Sequence, residues 1–547
     1  MRHFKKTTIF RKAGTFAFIM VFFLVSAAAA DYPEDVLKAK RSVTGRMIVS
    51  HIDFLASKYC RGRETGETGM DVAQKYITSV LSGTGATPMG EMGSFFQKVN
   101  LKTVSLSDRV HLKIEDHING PSLINNAKLE WDYLPIYISA EKEVTAPVVF
   151  AGYGITAPEH NYDDYKTIDA RGKIVLVMRH EPGENDDNSP FDGRKNSKYG
   201  TFMAKILNAQ EHGAVGILFV TDPLNHTDLS LAGAGFLSGT DWPSLRKKRM
   251  KDDEDLQYMK FEKRMRIVGQ DFDVRIPAML IDGKLANTLL GTGHSLRTLQ
   301  EEIDKAMKPR SLSLTGKKVF MEVYFKTEPV KAGNIVAKVE GSDPVLEDEV
   351  VIVGAHYDHE GKDNNGQFYP GADDNASGTA AVLELARAFK NMETKPKRTI
   401  LFILFTAEEK GLLGARFYVD NPLFPLEKTV AYINLDMIGR NDVDQMGVLG
   451  KYQYPKLFNI IERINKKTAN FELNFNVDEF IKNSDHFPFM RKKVPSVFFN
   501  SGMHDELHTP RDTVDRIIKE KVEKVAQLVF LTLWETANLP AGTDLRK

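Results

Sequence analysis

Four uninterrupted apolar runs in the second half of this 547-residue chain constrain its fold more than any other feature. They are "EVVIVGAH", "RTILFILFTAEE", "TVAYINLDMIG" and "VPSVFFNSG". Between them lie "GTAAVLELARAFKNM", "LLGARFYVD" and "PKLFNIIERINKK", whose apolar residues recur with helical spacing. Runs of Val, Ile, Leu and Phe without polar alternation fit strands buried on both faces. Their alternation with helices fits an α/β fold with a doubly wound, mainly parallel sheet flanked by helices. In such a sheet, binding and catalytic groups gather at the carboxyl edge, where strands end and loops begin.

That edge is where the chain concentrates metal-friendly side chains. The run "VVIVGAHYD" ends in His356 and Asp358, "ILFILFTAEE" in Glu408 and Glu409, and "VAYINLD" in Asp436. The stretch "GADDNASG", with Asp373 and Asp374, sits just ahead of a helix, and His508 follows a strand-like run in "FFNSGMHDELHTPRDT". Imidazole and carboxylate without thiolate form the ligand set of a hydrolytic zinc site rather than of a structural cysteine site. Two histidines with several acids can serve two metals, provided one carboxylate bridges them.

The rest of the chain sets the context. Arg2, Lys5, Lys6, Arg11 and Lys12 precede the apolar run Phe16 to Val25 and then three alanines, the pattern of a signal peptide cut before Asp31. The protein is therefore expected to be exported, periplasmic or secreted, with no stable membrane insertion after cleavage. Cys60 is the sole cysteine, so no internal disulfide can form, and its place at the end of "MIVSHIDFLASKYC" reads as a buried helical thiol. A second helix is expected over "MDVAQKYITSVL", with the polar stretch "RGRETGETG" between the two. From Thr145 the texture changes to short strands, "APVVFAGYGI", "GKIVLVMRHEPG" and "AVGILFV", with one helix at "FMAKILNAQEHG". The mixed charges of "RKKRMKDDEDLQYMKFEKRMR" read as a solvated helix or excursion. Lys+Arg equals Asp+Glu at 73 each, which gives no global field to attract nucleic acid or anionic membrane. The pattern specifies no oligomeric state.

Taken in order, "GAHYD", "GADDNASG", "TAEEKGLLGAR", "NLDMIG", "SDHFPF" and "HTPRDT" resemble the dizinc exopeptidases of the bacterial leucyl aminopeptidase and glutamate carboxypeptidase type, metallopeptidase family twenty-eight. The block with "VVFAGYGITAPEHNYDDY" and "DARGKIVLVMRHEPG" resembles the β-rich protease-associated domain often inserted in that family. The resemblance divides the chain into a signal peptide (1–30), an N-terminal part of the peptidase domain (31–144), the inserted domain (145–295) and the main peptidase part (296–547). It implies two Zn2+ ions, with His356 and Asp436 on one, Glu409 and His508 on the other, and Asp373 bridging them ahead of a cis peptide. It also implies that Asp358 holds the ring of His356 and that Glu408 is the general base.

The implied activity is that of an aminopeptidase acting on peptides, in which Glu408 takes a proton from a water shared by the metals and passes it to the departing amine. The residues leave open a carboxypeptidase on the same site, a single-zinc glutaminyl cyclase performing acyl transfer, and a binding relative without catalysis. Asp374 and Ser377 read as parts of the turn and helix start, His359, His486 and His504 as solvated or structural, and Arg440 as the partner of an acid. Asp485 resembles a family position near the active site. Leu507 stands where many relatives have tyrosine, which leaves the oxyanion donor unassigned. The inserted domain is expected to act as a lid or substrate-selecting wall.

Overall fold

The four apolar runs form the strands they predict, and the reason lies in which side chains face which layer. In the computed structural model, which describes residues 32–116, 122–124, 127–195, 197–226, 264–269, 273–363, 365–474 and 481–546, the strands used below are numbered in chain order. In the first half they are β1 (Phe96–Asp116), β2 (Lys142–Ala151), β3 (Ile174–Met178), β4 (Gly216–Val220) and β5 (Ala278–Ile281). The second half contributes β6 (Ser311–Val339), β7 (Val350–His356), β8 (Thr399–Phe405), β9 (Thr429–Leu435), β10 (Gln445–Leu449) and β11 (Ser496–Asn500). The expected signal peptide, and residues 246–263 of the mixed-charge stretch, lie outside the described residues.

A sheet of sixteen strands among the described residues runs through both halves of the chain, in the order β10-β11-β9-β7-β8-β6-β2-β3-β4-β5 along its main path. The neighbours β8, β7, β9 and β11 are mutually parallel. Every residue of β7 and β8 is buried. Val351, Val353 and Ala355 face one core with Leu383, Leu385 and Phe530, whereas Val350 and Ile352 face another with Tyr418 and Phe489. Both faces being covered is why these strands show no polar alternation. The first core takes in three helices, α1 (Gly45–Leu55), α2 (Thr68–Thr84) and α3 (Gly378–Asn391), together with α4 (Lys519–Ala537). Each buried Val, Ile or Leu contributes about 1.5–3 kcal/mol relative to exposure.

A second parallel set, β2, β3, β4 and β5, repeats the device in the inserted block. Phe150, Leu176 and Leu218 face one apolar cluster, and Val149, Val175 and Ile217 face another. The two sets are joined by one strand. Residues Ser311–Val323 of β6 pair antiparallel with β2, and residues Ile335–Val339 pair antiparallel with β8. No helix among the described residues is long and apolar enough to cross a membrane.

Candidate metal centre

Because β7, β8 and β9 are adjacent and parallel, the residues that follow them leave the sheet at one edge. His356 ends β7, Glu408 and Glu409 follow β8, and Asp436 follows β9. The turn Ala372–Ser377 ahead of α3 brings in Asp374, and the loop after β11 brings in His508. Asp374 sits in the middle. Its Oδ1 lies 3.4 Å from His356 Nε2, and its Oδ2 lies 2.9 Å from His508 Nε2. On the first side Asp436 Oδ1 is 3.3 Å from His356 Nε2. On the second, Glu409 Oε2 is 3.3 Å from His508 Nε2. Two donor sets thus share one carboxylate: His356, Asp374 and Asp436, and His359, Asp374, Glu409 and His508, with the ligand atoms of each set within 4.8 Å of one another.

The shared residue is not the one expected. Asp373 Oδ1 accepts a 2.7 Å hydrogen bond from Gly439 N, and its Oδ2 faces His504 Nε2 at 3.5 Å, away from both sets. The cis peptide likewise falls between Asp374 and Asn375, one residue beyond the expected place. In the turn Ala372–Ser377 neighbouring side chains diverge, so only one of two consecutive aspartates can enter the centre. Asp373 is instead part of the turn's support, with its carbonyl accepting a 2.7 Å bond from Ser377 Oγ.

Asp358 also acts differently from expectation. The Nδ1–H of His356 donates to the backbone carbonyl of Asp358 at 3.2 Å, while the Asp358 carboxylate stays 3.8 Å away. The carbonyl still fixes the ring orientation, leaving Nε2 toward Asp374 and Asp436. The carboxylate accepts the amides of Glu408 at 3.1 Å and Glu409 at 3.3 Å, and so fixes the chain that carries both glutamates. Asp512, in "HTPRDT", does the same for the shared residue by accepting the amides of Asp373 and Asp374, each within 3.1 Å. Ser484 Oγ donates to Asp436 Oδ2 at 2.8 Å.

Two participants carry roles that their motifs do not announce. Arg63, in the stretch expected to be a polar connector, is fully buried. Its guanidinium donates to the carbonyls of Leu55, Tyr357, Pro370 and Gly371 at 2.7 to 3.0 Å, tying the loop after β7 to the loop before Asp374. His359 is buried too, and its Nδ1–H donates to Glu409 Oε1 at 2.9 Å, with Asp374 Oδ2 at 3.6 Å. A histidine three residues after His356 in "HYDH" was the available signal. Other expected residues take structural places. Arg440 pairs with Glu506 at 2.7 Å, His486 stacks on Phe498 with ring centroids 4.5 Å apart, and Leu507 is buried.

The electrostatics test whether this set fits a metal. Burial lowers His356 and His508, yet the charges of Glu408 and Asp436 around the first, and of Glu409 around the second, outweigh it and hold both well above the ordinary imidazole range. Burial raises Glu409, but His508 and His359 outweigh it, and its carboxyl lies well below the usual range. Burial pushes Glu408 well above that range, and it pushes Asp358 and Asp512 up to about 6. Asp436 Oδ1, buried, finds no hydrogen-bond partner among the described residues. Carboxylates outnumber imidazoles here, and such a buried excess of negative charge is held by metal cations or by protons. Oxygen and imidazole nitrogen around a shared carboxylate suit a pair of zinc-class divalent ions.

Residues 334–533 match the model of peptidase family M28, and residues 144–245 that of the PA domain. The chain is 32% identical to the aminopeptidase YwaD of Bacillus subtilis over 203 residues, covering 34% of this chain and 41% of that protein. It is 28% identical over 267 residues to a probable zinc metalloprotease of Pyrenophora tritici-repentis, covering 39% and 59%. The matched part thus spans about half the length of these curated relatives. The structure of an aminopeptidase from Aneurinibacillus sp. strain AM-1 superposes with a TM-score of 0.55 at 20% identity, covering 93% of this chain and 97% of that one, a likeness of fold.

Proposed function

We propose that this chain, which carries a peptidase family M28 domain and a PA domain, is an exported two-zinc aminopeptidase that hydrolyses the N-terminal peptide bond of peptides. The observation that carries the proposal is the placing of Asp374, whose two carboxylate oxygens each face a separate donor set. His356, Asp374 and Asp436 would hold one ion, and Asp374, Glu409 and His508 the other. When bound, the ions supply Lewis acidity, acidifying water and polarising the scissile carbonyl.

The chain's own residues supply the rest. Glu408 Oε2 lies 4.0 Å from His356 Nε2, at the edge of the first donor set and free of the shared carboxylate. A buried carboxyl beside the first donor set suits the general base, which takes the proton of the attacking water and delivers it to the leaving amine. Asp358, by accepting the amides of both glutamates, would keep Glu408 beside the first donor set and leave Glu409 to hold the second ion. A second donor set favours hydrolysis over the single-zinc cyclase reaction. Arg440, a candidate anchor for a C-terminal carboxylate, is engaged by Glu506, which favours the aminopeptidase over the carboxypeptidase. Export rests on the charged and apolar pattern of residues 1–30, which lie outside the described residues.

The test is a direct assay of purified protein on N-terminal aminoacyl, C-terminal and glutaminyl peptides, before and after chelation, with Glu408→Gln alongside. Hydrolysis of free N-termini that is lost to chelator and to Glu408→Gln supports the proposal. Activity on C-terminal or glutaminyl substrates alone contradicts it.

A further inference from the structure

We propose that His180, Glu184, Asp222 and His226 form a structural zinc site in the inserted block, outside the centre described above. Its placement follows from the sheet. Strands β3 and β4 are parallel with Met178 opposite Val220, so His180 and Asp222 each stand two residues beyond the carboxyl end of adjacent strands. Each begins a four-residue step: His180 leads to Glu184 and Asp222 to His226. In the second step the amide of His226 donates to the carbonyl of Asp222 at 3.2 Å, a single helical turn that returns the imidazole to the aspartate.

The ligand atoms fit one ion. One donor atom from each of the four residues lies within 4.8 Å of all the others. His180 Nδ1 is 2.6 Å from Asp222 Oδ1 and 3.7 Å from Glu184 Oε2. His226 Nε2 is 3.2 Å from Glu184 Oε2 and 3.9 Å from Asp222 Oδ2. Bonds of about 2.0 to 2.2 Å to zinc give a tetrahedron with edges of roughly 3.3 to 3.6 Å; Glu184 Oε2 stands close to such edges from both rings, and Asp222 turns Oδ1 toward His180 and Oδ2 toward His226.

The alternative is a cluster held by protons, in which His180 Nδ1–H donates to Asp222 Oδ1 at 2.6 Å and His226 Nε2–H to Glu184 Oε2 at 3.2 Å, and metal content decides between the two. His180 and His226 stack with centroids 4.4 Å apart at 26°. Two neutral rings, two carboxylates and one dication sum to zero charge, so a single divalent ion balances the cluster. The site is also backed from below. Asp222 is fully buried, and Asn225 Nδ2 donates to both Asp222 and Glu184. The buried Lys205 ammonium donates to the carbonyls of His180, Met178 and Tyr153, holding the backbone where His180 departs. His180 itself has φ 45°, a conformation that a side chain other than glycine rarely adopts without a reason in the surroundings.

Four protein ligands and no open position make this a closed site, whose binding energy adds to folding stability rather than to catalysis. The chemistry that recognises these residues is that of a single divalent ion favouring two imidazoles and two carboxylates, with Zn2+ as the probe.

The full chain carrying Asp374→Asn and His508→Ala, which dismantles the first centre, is stripped with chelator, reloaded with Zn2+ and dialysed. Metal is counted by plasma mass spectrometry, and thermal unfolding is followed with and without zinc. We expect one zinc per chain and a zinc-dependent rise in the thermal midpoint. Adding His226→Ala or Asp222→Asn should weaken zinc affinity by at least tenfold and remove that rise. His226→Ala alone, in otherwise intact protein, should leave peptide hydrolysis unchanged. Equal zinc content with and without His226→Ala, or no zinc in the dismantled protein, overturns the proposal. Should the variants fail to fold, a zinc-edge anomalous map of wild-type crystals decides the matter, since a peak among these four residues supports the site and its absence removes it.

Discussion

The two halves of the sheet each end in a cluster of histidines and carboxylates at the carboxyl edge of parallel strands, yet they are built to different standards. In the second half the shared Asp374 and its neighbour Glu409 each keep 6% of their side chain exposed, whereas His226 in the first half keeps 34%. The deeper cluster is held by several further groups: Asp358 under Glu408 and Glu409, Asp512 under Asp374, Ser484 on Asp436, and Arg63 across the loops. The shallower cluster has Asn225 and Lys205. Strand ends alone bring donors together. What separates a reaction centre from a structural staple is the added row of groups that fixes where each carboxylate points.

The largest effect should come from removing the residue that the deeper cluster shares. Asp374→Asn is expected to lower both zinc affinities and cut peptide hydrolysis by about four orders of magnitude or more, since groups that act as a unit fail as a unit. Asp373→Asn, one residue away, should cost about 1 kcal/mol of stability through its weakened bond to Gly439 N and leave zinc content intact. Metal analysis and initial rates on the two variants separate the roles. If Asp373→Asn loses the metals and Asp374→Asn does not, the assignment of the shared carboxylate reverses.

Glu408→Gln comes next. It should lower kcat by about 10²- to 10⁴-fold with zinc content unchanged, because the amide cannot carry the proton while the donors of both sets remain. A parallel loss of metal would show Glu408 to be a ligand rather than the base.

The clamp can be tested on stability rather than rate. Arg63→Met removes the donor from the carbonyls of Leu55, Tyr357, Pro370 and Gly371 and is expected to cost about 3 kcal/mol or more in urea unfolding, with weaker zinc retention as the loops slacken. A cost under about 1 kcal/mol would mean that water or neighbouring groups replace the guanidinium.

A last effect, read in pH rather than in rate, concerns a histidine that is buried but outside both donor sets. Burial lowers His486 to about 3. Its folded pKa is then below that of the unfolded chain, near 6.5, so the unfolded state binds the extra proton and stability is lost as pH falls from about 6.5 toward 3. At pH 5 this residue alone should cost about 2 kcal/mol relative to pH 8. His486→Phe, stacked on Phe498, should remove that part of the pH dependence in denaturant titrations at the two pH values. An unchanged pH profile would contradict the assignment. His356 and His508, with carboxylates facing them, shift the other way, which is the same contrast within one half of the molecule.

How much of this was legible follows from which contacts are local. The doubly wound parallel sheet could be read because burial of both faces erases polar alternation within each strand, and strand ends located His356, Glu408, Glu409 and Asp436 without any knowledge of the packing. The choice between Asp373 and Asp374 could not be read. It depends on the turn in which they sit, and that turn is set by Asp512, 138 residues from Asp374. The role of Arg63 in its polar stretch could not be read because its partners, the carbonyls of Pro370 and Gly371, are some 300 positions away. His359 reads as solvated or structural because its partner, Glu409, lies in the loop after the neighbouring strand, 50 positions away. The four residues of the shallower cluster come from two separate strand ends, although the step of four in both "HEPGE" and "DPLNH" is present in the sequence.

The central claim is that Asp374 joins two donor sets around a pair of ions, and zinc-edge anomalous diffraction from crystals of the zinc-loaded protein tests it most directly. The account predicts two peaks at the carboxyl edge of β7, β8 and β9, one beside each carboxylate oxygen of Asp374, with His356 and Asp436 around the first and Glu409 and His508 around the second. A single peak, or a pair lying beside Asp373 with Asp374 turned away, would contradict it.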